Sequence, residues 1–132
     1  MILIDTSAFV EFLRATGSPT HREVRRLIDA NRVATTDPVV MEVLAGARDD
    51  SHASQLKGFL LRFEHIPANT GDYEQAAAIY RACRAKGATI RSLVDCLVAA
   101  VAVREGLRVL HNDRDFPAIR DATELLLHEP AP

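Results

Sequence analysis

The chain opens on an uninterrupted apolar triplet, Ile2-Leu3-Ile4, that stops abruptly at Asp5-Thr6-Ser7. Apolar residues with no polar alternation predict a strand buried on both faces, as in parallel sheets, and the polar triplet after it supplies side chains able to cap a helix. The period then changes. A short helix is expected over residues 8–14, a break at Gly17-Ser18-Pro19, and a second helix over about 21–30 with Val24, Leu27 and Ile28 on one face. A brief strand at 33–35 leads into Asp37-Pro38, an N-cap with proline at the first helical position. This opens a third helix carrying Val39, Val40, Val43 and Leu44 and ending near Gly46. Residues 51–63 form a further amphipathic helix, and 65–67 a strand that Pro67 keeps short. An alanine-rich helix over 72–86 closes at Gly87. The stretch 92–105, apolar almost all round, predicts a buried helix closing at Gly106. A strand at 107–111, a turn at 112–116 and a last strand at 125–128 precede a proline-containing tail. Strands alternating with helices predict an α/β fold, a three-layer α/β/α sandwich on a mostly parallel sheet.

Composition narrows the picture. At 132 residues and 48% hydrophobic, the chain suits one domain over 1–132, with one core and one site. The formal net charge of -2 does not advertise a nucleic-acid binder. Carboxylates gathered around a divalent cation would nevertheless leave a site far less negative than the count implies. Cys83 and Cys96 have neither zinc-site nor disulfide-framework spacing, which fits a reducing cytoplasm. An acid at position 5 precludes a secretory leader there, and no apolar run approaches the roughly 18 residues of a membrane span.

Most of the 18 acidic residues fall on solvated helix faces, but four do not. Asp5 and Asp113 each follow an apolar strand, at the carboxyl edge where open α/β sheets build their sites. Glu42 lies within Val39-Val40-Met41-Glu42-Val43-Leu44, and Asp95 within Leu93-Val94-Asp95-Cys96-Leu97. A buried carboxylate without a partner costs several kcal/mol or stays protonated, so such groups need a cation, a metal or a donor network. The plain alternative for Asp95 is an ion pair with Arg91, one turn earlier, which would leave the other three acids unexplained. Converging at one sheet edge, the four acids would form an oxygen-only site selecting magnesium or manganese over zinc. Such a pocket suits phosphodiester hydrolysis by one or two ions, the two-ion form needing a separation of about 3.5–4 Å. Asp115 adds a candidate outer contact. Thr6 and Ser7 can either hydrogen-bond water carried by the metal or cap a helix, and Asn112 and Ser92 are weaker candidates of the same type. The five histidines show no ligand spacing, and no Ser/His/Asp or Cys/His arrangement accompanies them.

These residues also carry a resemblance. Ile-Asp-Thr-Ser-Ala at the start, Glu42 in the third helix, Ser-Leu-Val-Asp-Cys-Leu-Val-Ala-Ala and His-Asn-Asp-Arg-Asp-Phe resemble, in order and spacing, a PIN domain of the VapC toxin type. The resemblance spans nearly the whole chain. It implies Asp5, Glu42, Asp95 and Asp113 as the core acids with Asp115 as the common fifth, and about five parallel strands. It further implies a cytoplasmic homodimer and a Mg2+- or Mn2+-dependent endoribonuclease cutting a single-stranded part of a structured RNA such as tRNA or rRNA. A VapB-like antitoxin would occupy the active-site groove and often point an arginine at the acids. Arg14, Arg91, Arg114 and the group Arg22-Arg25-Arg26 are available to substrate phosphates. Exposed apolar residues of the second and fourth helices are candidate dimer contacts.

Other readings fit less well. A haloacid-dehalogenase-like phosphatase needs a second aspartate where Ser7 stands, and a receiver domain needs a late lysine, whereas none follows Lys86. A calcium loop from Asp113 would place Ala118 where glycine is required. The non-enzymatic alternative is a PIN-like module that binds RNA or protein without cleaving it.

Overall fold

The computed structural model describes residues 1–132. Twelve elements follow one another: β1 (Ile2–Ile4), α1 (Thr6–Leu13), α2 (Pro19–Asp29), β2 (Val33–Thr36), α3 (Asp37–Ala45), α4 (Asp50–Leu60), β3 (Glu64–Ile66), α5 (Thr70–Ala85), α6 (Leu93–Glu105), β4 (Arg108–Leu110), α7 (Asp115–Ala122) and β5 (Leu126–Leu127). The sheet order is β3-β2-β1-β4-β5, and every pairing is parallel, so the expected mostly parallel sheet is wholly so. β1 lies at its centre, with Leu3 opposite Ala34 on one side and Val109 on the other, which is why the opening triplet is apolar without alternation. Chain progression runs from β1 outward to β3, then returns past β1 to β4. The topological switch point therefore falls between the carboxyl ends of β1 and β4.

Right-handed crossovers place α1–α4 over one face of the sheet and α5–α7 over the other. The packing agrees: α1 lies against α2 and α3, and α5 against α6 and α7. Phe9 and Phe116 are the largest fully buried side chains, and Asp95–Ala102 of α6 is buried without a break. Gly106 ends α6 at φ +66°, a left-handed conformation that a β-carbon would strain. No helix is long and apolar enough to cross a membrane.

Three differences from the sequence-based expectations bear on the site. α7 was expected as a turn over 112–116 followed by unassigned chain. Pro117 sits in the first turn of this helix, where its missing N–H costs nothing, and Phe116 and Ile119 give only one apolar turn, too little to reveal a period. α1 begins at Thr6 rather than residue 8, because Asp5 itself is the N-cap and its carboxylate accepts from the Ser7 N–H. α5 starts at Thr70 through a reciprocal capping box between Asn69 and Asp72. Of the two helices expected to expose apolar residues, α4 does so at its C-cap, where Leu61 is 74% exposed, and a second exposed apolar surface lies elsewhere. Met41, Tyr73 and Leu93, each more than half exposed, border a groove between α3, α5 and the start of α6.

Candidate active site

The switch point is built by short-range bonds from residues just beyond the strands. The Asp5 N–H donates to Leu110 O at 2.9 Å, extending the β1–β4 ladder by one bond and fixing the start of α1. Asp5 Oδ2 accepts from Ser7 N at 3.0 Å and from Ser7 Oγ at 2.6 Å. The same Ser7 hydroxyl accepts from the Asn112 N–H at 2.8 Å, so one oxygen joins the loop after β1 to the loop after β4. Thr6 Oγ1 donates to Glu42 Oε1 at 2.8 Å and holds α3 to the head of α1. The ambiguous hydroxyls thus orient the acids rather than capping a helix.

The other acids arrive from α6, the β4–α7 loop and α7. Asp95, in the first turn of α6, is 5% exposed, and Asp115, the first residue of α7, is 4% exposed. Carboxylate oxygens of Asp95, Asp113 and Asp115 lie within 4.8 Å of one another. Asp115 is thus nearer the centre than its expected loop position implied. Asp113 Oδ1 accepts from Asp115 N at 2.9 Å, while the Asp113 N–H donates to His111 Nδ1 at 3.1 Å. Burial holds His111 below the usual imidazole range, which favours the neutral ring that acceptance requires. No sequence pattern marked His111 for this role.

The electrostatics follow from crowding. Burial, opposed by the Ser7 bonds and assisted by Glu42, raises Asp5 to about 6. Asp95 is pushed up to about 8, first by burial and then by Asp5, Asp113, Asp115 and Glu42. Asp95 thus feels all four of the other acids. Asp5 Oδ1 and Asp95 Oδ2 are buried and have no hydrogen-bond partner. Orphaned acceptors of this kind cost about 1–3 kcal/mol each unless something neutralises them. Arg91 does so elsewhere: its guanidinium reaches Asp113 Oδ1 at 2.8 Å and Asp115 Oδ1 at 3.6 Å, and its N–H donates to Asp115 Oδ2 at 3.1 Å. It does not make the Asp95 pair that helical spacing suggested. An oxygen-only donor set with two orphaned buried oxygens fits a hard divalent cation, and Asp5, Asp95, Asp113 and Asp115 could hold one, with Glu42 beside them.

The remaining candidates lie further out. Ser92 caps α6, accepting from Val94 N at 3.2 Å. The Asn112 side chain donates to Glu11 Oε1 at 3.0 Å and accepts from Thr20 at 3.5 Å, so it faces α1 and α2. Arg114 is exposed immediately before α7, and Arg14, at the end of α1, lines a cleft with Glu42. The cysteines are free and buried, with Cys96 pushed up to about 12 by burial, so neither is a nucleophile at neutral pH.

A parallel five-stranded α/β sheet with carboxylates converging at its switch point defines a class of acidic-site α/β domains. The family model for the PIN domain matches residues 2–122, and the chain belongs to that family. Ribonuclease VapC11 of Mycobacterium tuberculosis is 47% identical over 128 residues, covering 95% of this chain and 96% of that protein. Two solved structures share the fold. VapBC from Salmonella typhimurium, crystallised bound to DNA, has a TM-score of 0.77 at 18% identity, covering 97% of this chain and 98% of that one. Mycobacterium tuberculosis VapC20, a Sarcin-Ricin loop cleaving toxin, has 0.70 at 22%, covering 96% and 99%.

Proposed function

We propose that this chain is a metal-dependent endoribonuclease, the toxin of a VapBC-type toxin–antitoxin pair, hydrolysing a phosphodiester bond in a structured RNA such as tRNA or rRNA. The observation that carries the reading is the pair of orphaned buried oxygens, Asp5 Oδ1 and Asp95 Oδ2, within five clustered acids at the switch point. Similarity to a protein named ribonuclease, over nearly its whole length, supports it. Mg2+ or Mn2+, one or two per site, would be held by Asp5, Glu42, Asp95, Asp113 and Asp115, of which Asp95, Asp113 and Asp115 stand closest together. When bound, the ion supplies charge stabilisation at the phosphodiester and activates water for attack on phosphorus.

The chain's own residues do the rest. Ser7 fixes Asp5 and ties together the two strand ends, so the acids from β1 and β4 keep their spacing. Thr6 holds Glu42 by Oε1, which leaves Oε2 free, and Glu42 would serve through it as the base that takes a proton from water. Arg91, paired with Asp113 and Asp115, would be released to meet substrate phosphate once an ion neutralised those acids.

A VapB-like antitoxin silences the enzyme by occupying the groove over the acids, and the protein works in the cytoplasm as a homodimer. The apolar groove bordered by Met41, Tyr73 and Leu93 is the face for the second copy. The test is incubation of purified, antitoxin-free protein with total RNA and Mg2+ or Mn2+, wild type beside Asp95→Ala, with mapping of new 5′ ends. Discrete cuts by wild type alone are expected. Folded, metal-loaded wild type that makes none would transfer the reading to a non-catalytic RNA- or protein-binding module.

A further inference from the structure

Beside the acids, between α1, α3 and α4, lies a cleft of about 350 Å³, within the roughly 300–1,000 Å³ usual for ligand sites. Its apolar lining includes the buried Val43 and Leu56, and it shares Glu42 with the acidic site. The exposed Arg14 and Arg48 and the half-buried His52 supply its polar rim. Arg26, Arg91, Arg104 and Arg120 are all paired with carboxylates, whereas the guanidinium groups of Arg14 and Arg48 have no partner in the chain. His52 Nδ1 accepts from the Arg48 N–H at 3.1 Å, which puts the ring proton on Nε2 and makes that atom a donor. The nearby Asp49 carboxylate is spent on the His52 N–H at 2.8 Å, as the cap of α4. Unpaired donors around an apolar lining complement a phosphate joined to a flat base.

We propose that this cleft is the subsite for the nucleotide adjoining the scissile bond, its phosphate held by Arg14, Arg48 and His52 and its base lying over Val43 and Leu56. The assignment rests on the ribonuclease reading above and adds to it where the strand runs: away from Glu42, between α1 and α4.

The test compares wild type with R14Q/R48Q, both substitutions being at exposed positions, on a single-stranded oligoribonucleotide that wild type cuts. A second set of oligonucleotides carries a neutral methylphosphonate in place of one phosphate next to the cut. The double variant should raise KM about ten- to a hundredfold with kcat little changed, as expected for lost charge-assisted contacts. The neutral linkage on one side of the cut should cost wild type a similar factor and the double variant almost nothing. An unchanged KM, or a neutral linkage equally costly to both proteins, overturns the subsite. If wild type binds RNA without cutting it, the ribonuclease reading fails and equilibrium binding decides the subsite alone. A tenfold or greater weakening in R14Q/R48Q supports it, and equal affinity overturns it. A variant that still cuts normally but escapes inhibition by the antitoxin assigns the cleft to a protein partner and overturns the proposal as well.

Discussion

Replacing Asp95 with asparagine separates a metal site from a structural one. In the metal-free chain, Asp95 Oδ2 has no partner, and burial with four neighbouring acids raises the group from 3.8 to about 8. A folded-state pKa above the unfolded value means that stability is fully present below about pH 4 and is lost as pH rises through about 8. At roughly 1.4 kcal/mol per unit the full shift would correspond to about 6 kcal/mol above pH 8. That is an upper limit, because part of the repulsion is relieved when neighbouring acids hold protons instead. Asparagine keeps a buried oxygen and loses only the charge, and the cost of stranding a buried polar group, about 1–3 kcal/mol and larger when it is charged, is the better guide to the order of that gain. Asp95→Asn keeps the shape and removes the charge. In EDTA at pH 8 it should therefore be more stable than wild type by about 1–3 kcal/mol, a rise in Tm of roughly 5–10 °C for a chain of this size. Thermal unfolding followed by circular dichroism measures this directly. Adding Mn2+ at about a hundred times its Kd should then stabilise wild type by about 2.7 kcal/mol and Asp95→Asn by much less. A variant less stable than wild type in EDTA, or one that gains as much from Mn2+, would refute the reasoning, because Asp95 would then be serving the fold.

Thr6→Val should leave Tm within a few degrees but lower kcat about tenfold, because Glu42 loses the hydroxyl that orients it; single-turnover cleavage with saturating metal reads this, and full activity would remove Thr6 from the site. Arg91→Ala should bind Mn2+ several-fold more tightly, since the guanidinium contacting Asp113 and Asp115 no longer competes, and calorimetric titration showing weaker binding would contradict that placement. Glu23 is held at about 2 by Arg26 and His128, and it also accepts from Ala131 N, so its contribution is present above pH 4.5 and lost as pH falls toward 2. Glu23→Gln should therefore lose about 1–3 kcal/mol at neutral pH and show a shallower decline of Tm between pH 4.5 and 2 than wild type.

The strand-helix order was legible because strands and helices alternate between capping and turn residues, and β1, a wholly apolar triplet, could be placed in a parallel sheet from three residues, whereas β3, Glu64-His65-Ile66, carries no apolar run and was marked mainly by the proline that follows it. The acids were legible by contrast with their surroundings: a carboxylate inside Leu93–Leu97 or just after Ile4 is conspicuous. What sequence could not supply was direction. Arg91 stands four residues before Asp95, the spacing of a helical ion pair, but α6 begins only at Leu93, so Arg91 lies outside the helix and swings to Asp113 and Asp115 instead. Asp115 was read as a loop residue because α7 is only eight residues long, with proline in its first turn, and without that helix nothing drew the carboxylate inward. Arg48 falls between two predicted helices and His52 inside the second, where neither stands out, and only the folded chain places them beside Glu42.

The charge balance shows how a mildly acidic protein can engage a polyanion. A net charge of -2 weighed against an RNA substrate, yet it averages a surface with one concentrated feature. Setting aside the five clustered carboxylates, Asp5, Glu42, Asp95, Asp113 and Asp115, moves the formal charge from -2 to +3. The negative excess therefore sits in one cluster, where a divalent cation, on the proposed reading, would offset it at the point a scissile phosphate would approach. Arginines without internal partners, Arg14 and Arg48 among them, lie beside that cluster. An oxygen-lined site that repels RNA until it is loaded, flanked by cations that attract it, would make productive binding conditional on the proposed metal. Net charge alone cannot reveal such an arrangement, because the same total arises when the acids are spread evenly over the surface.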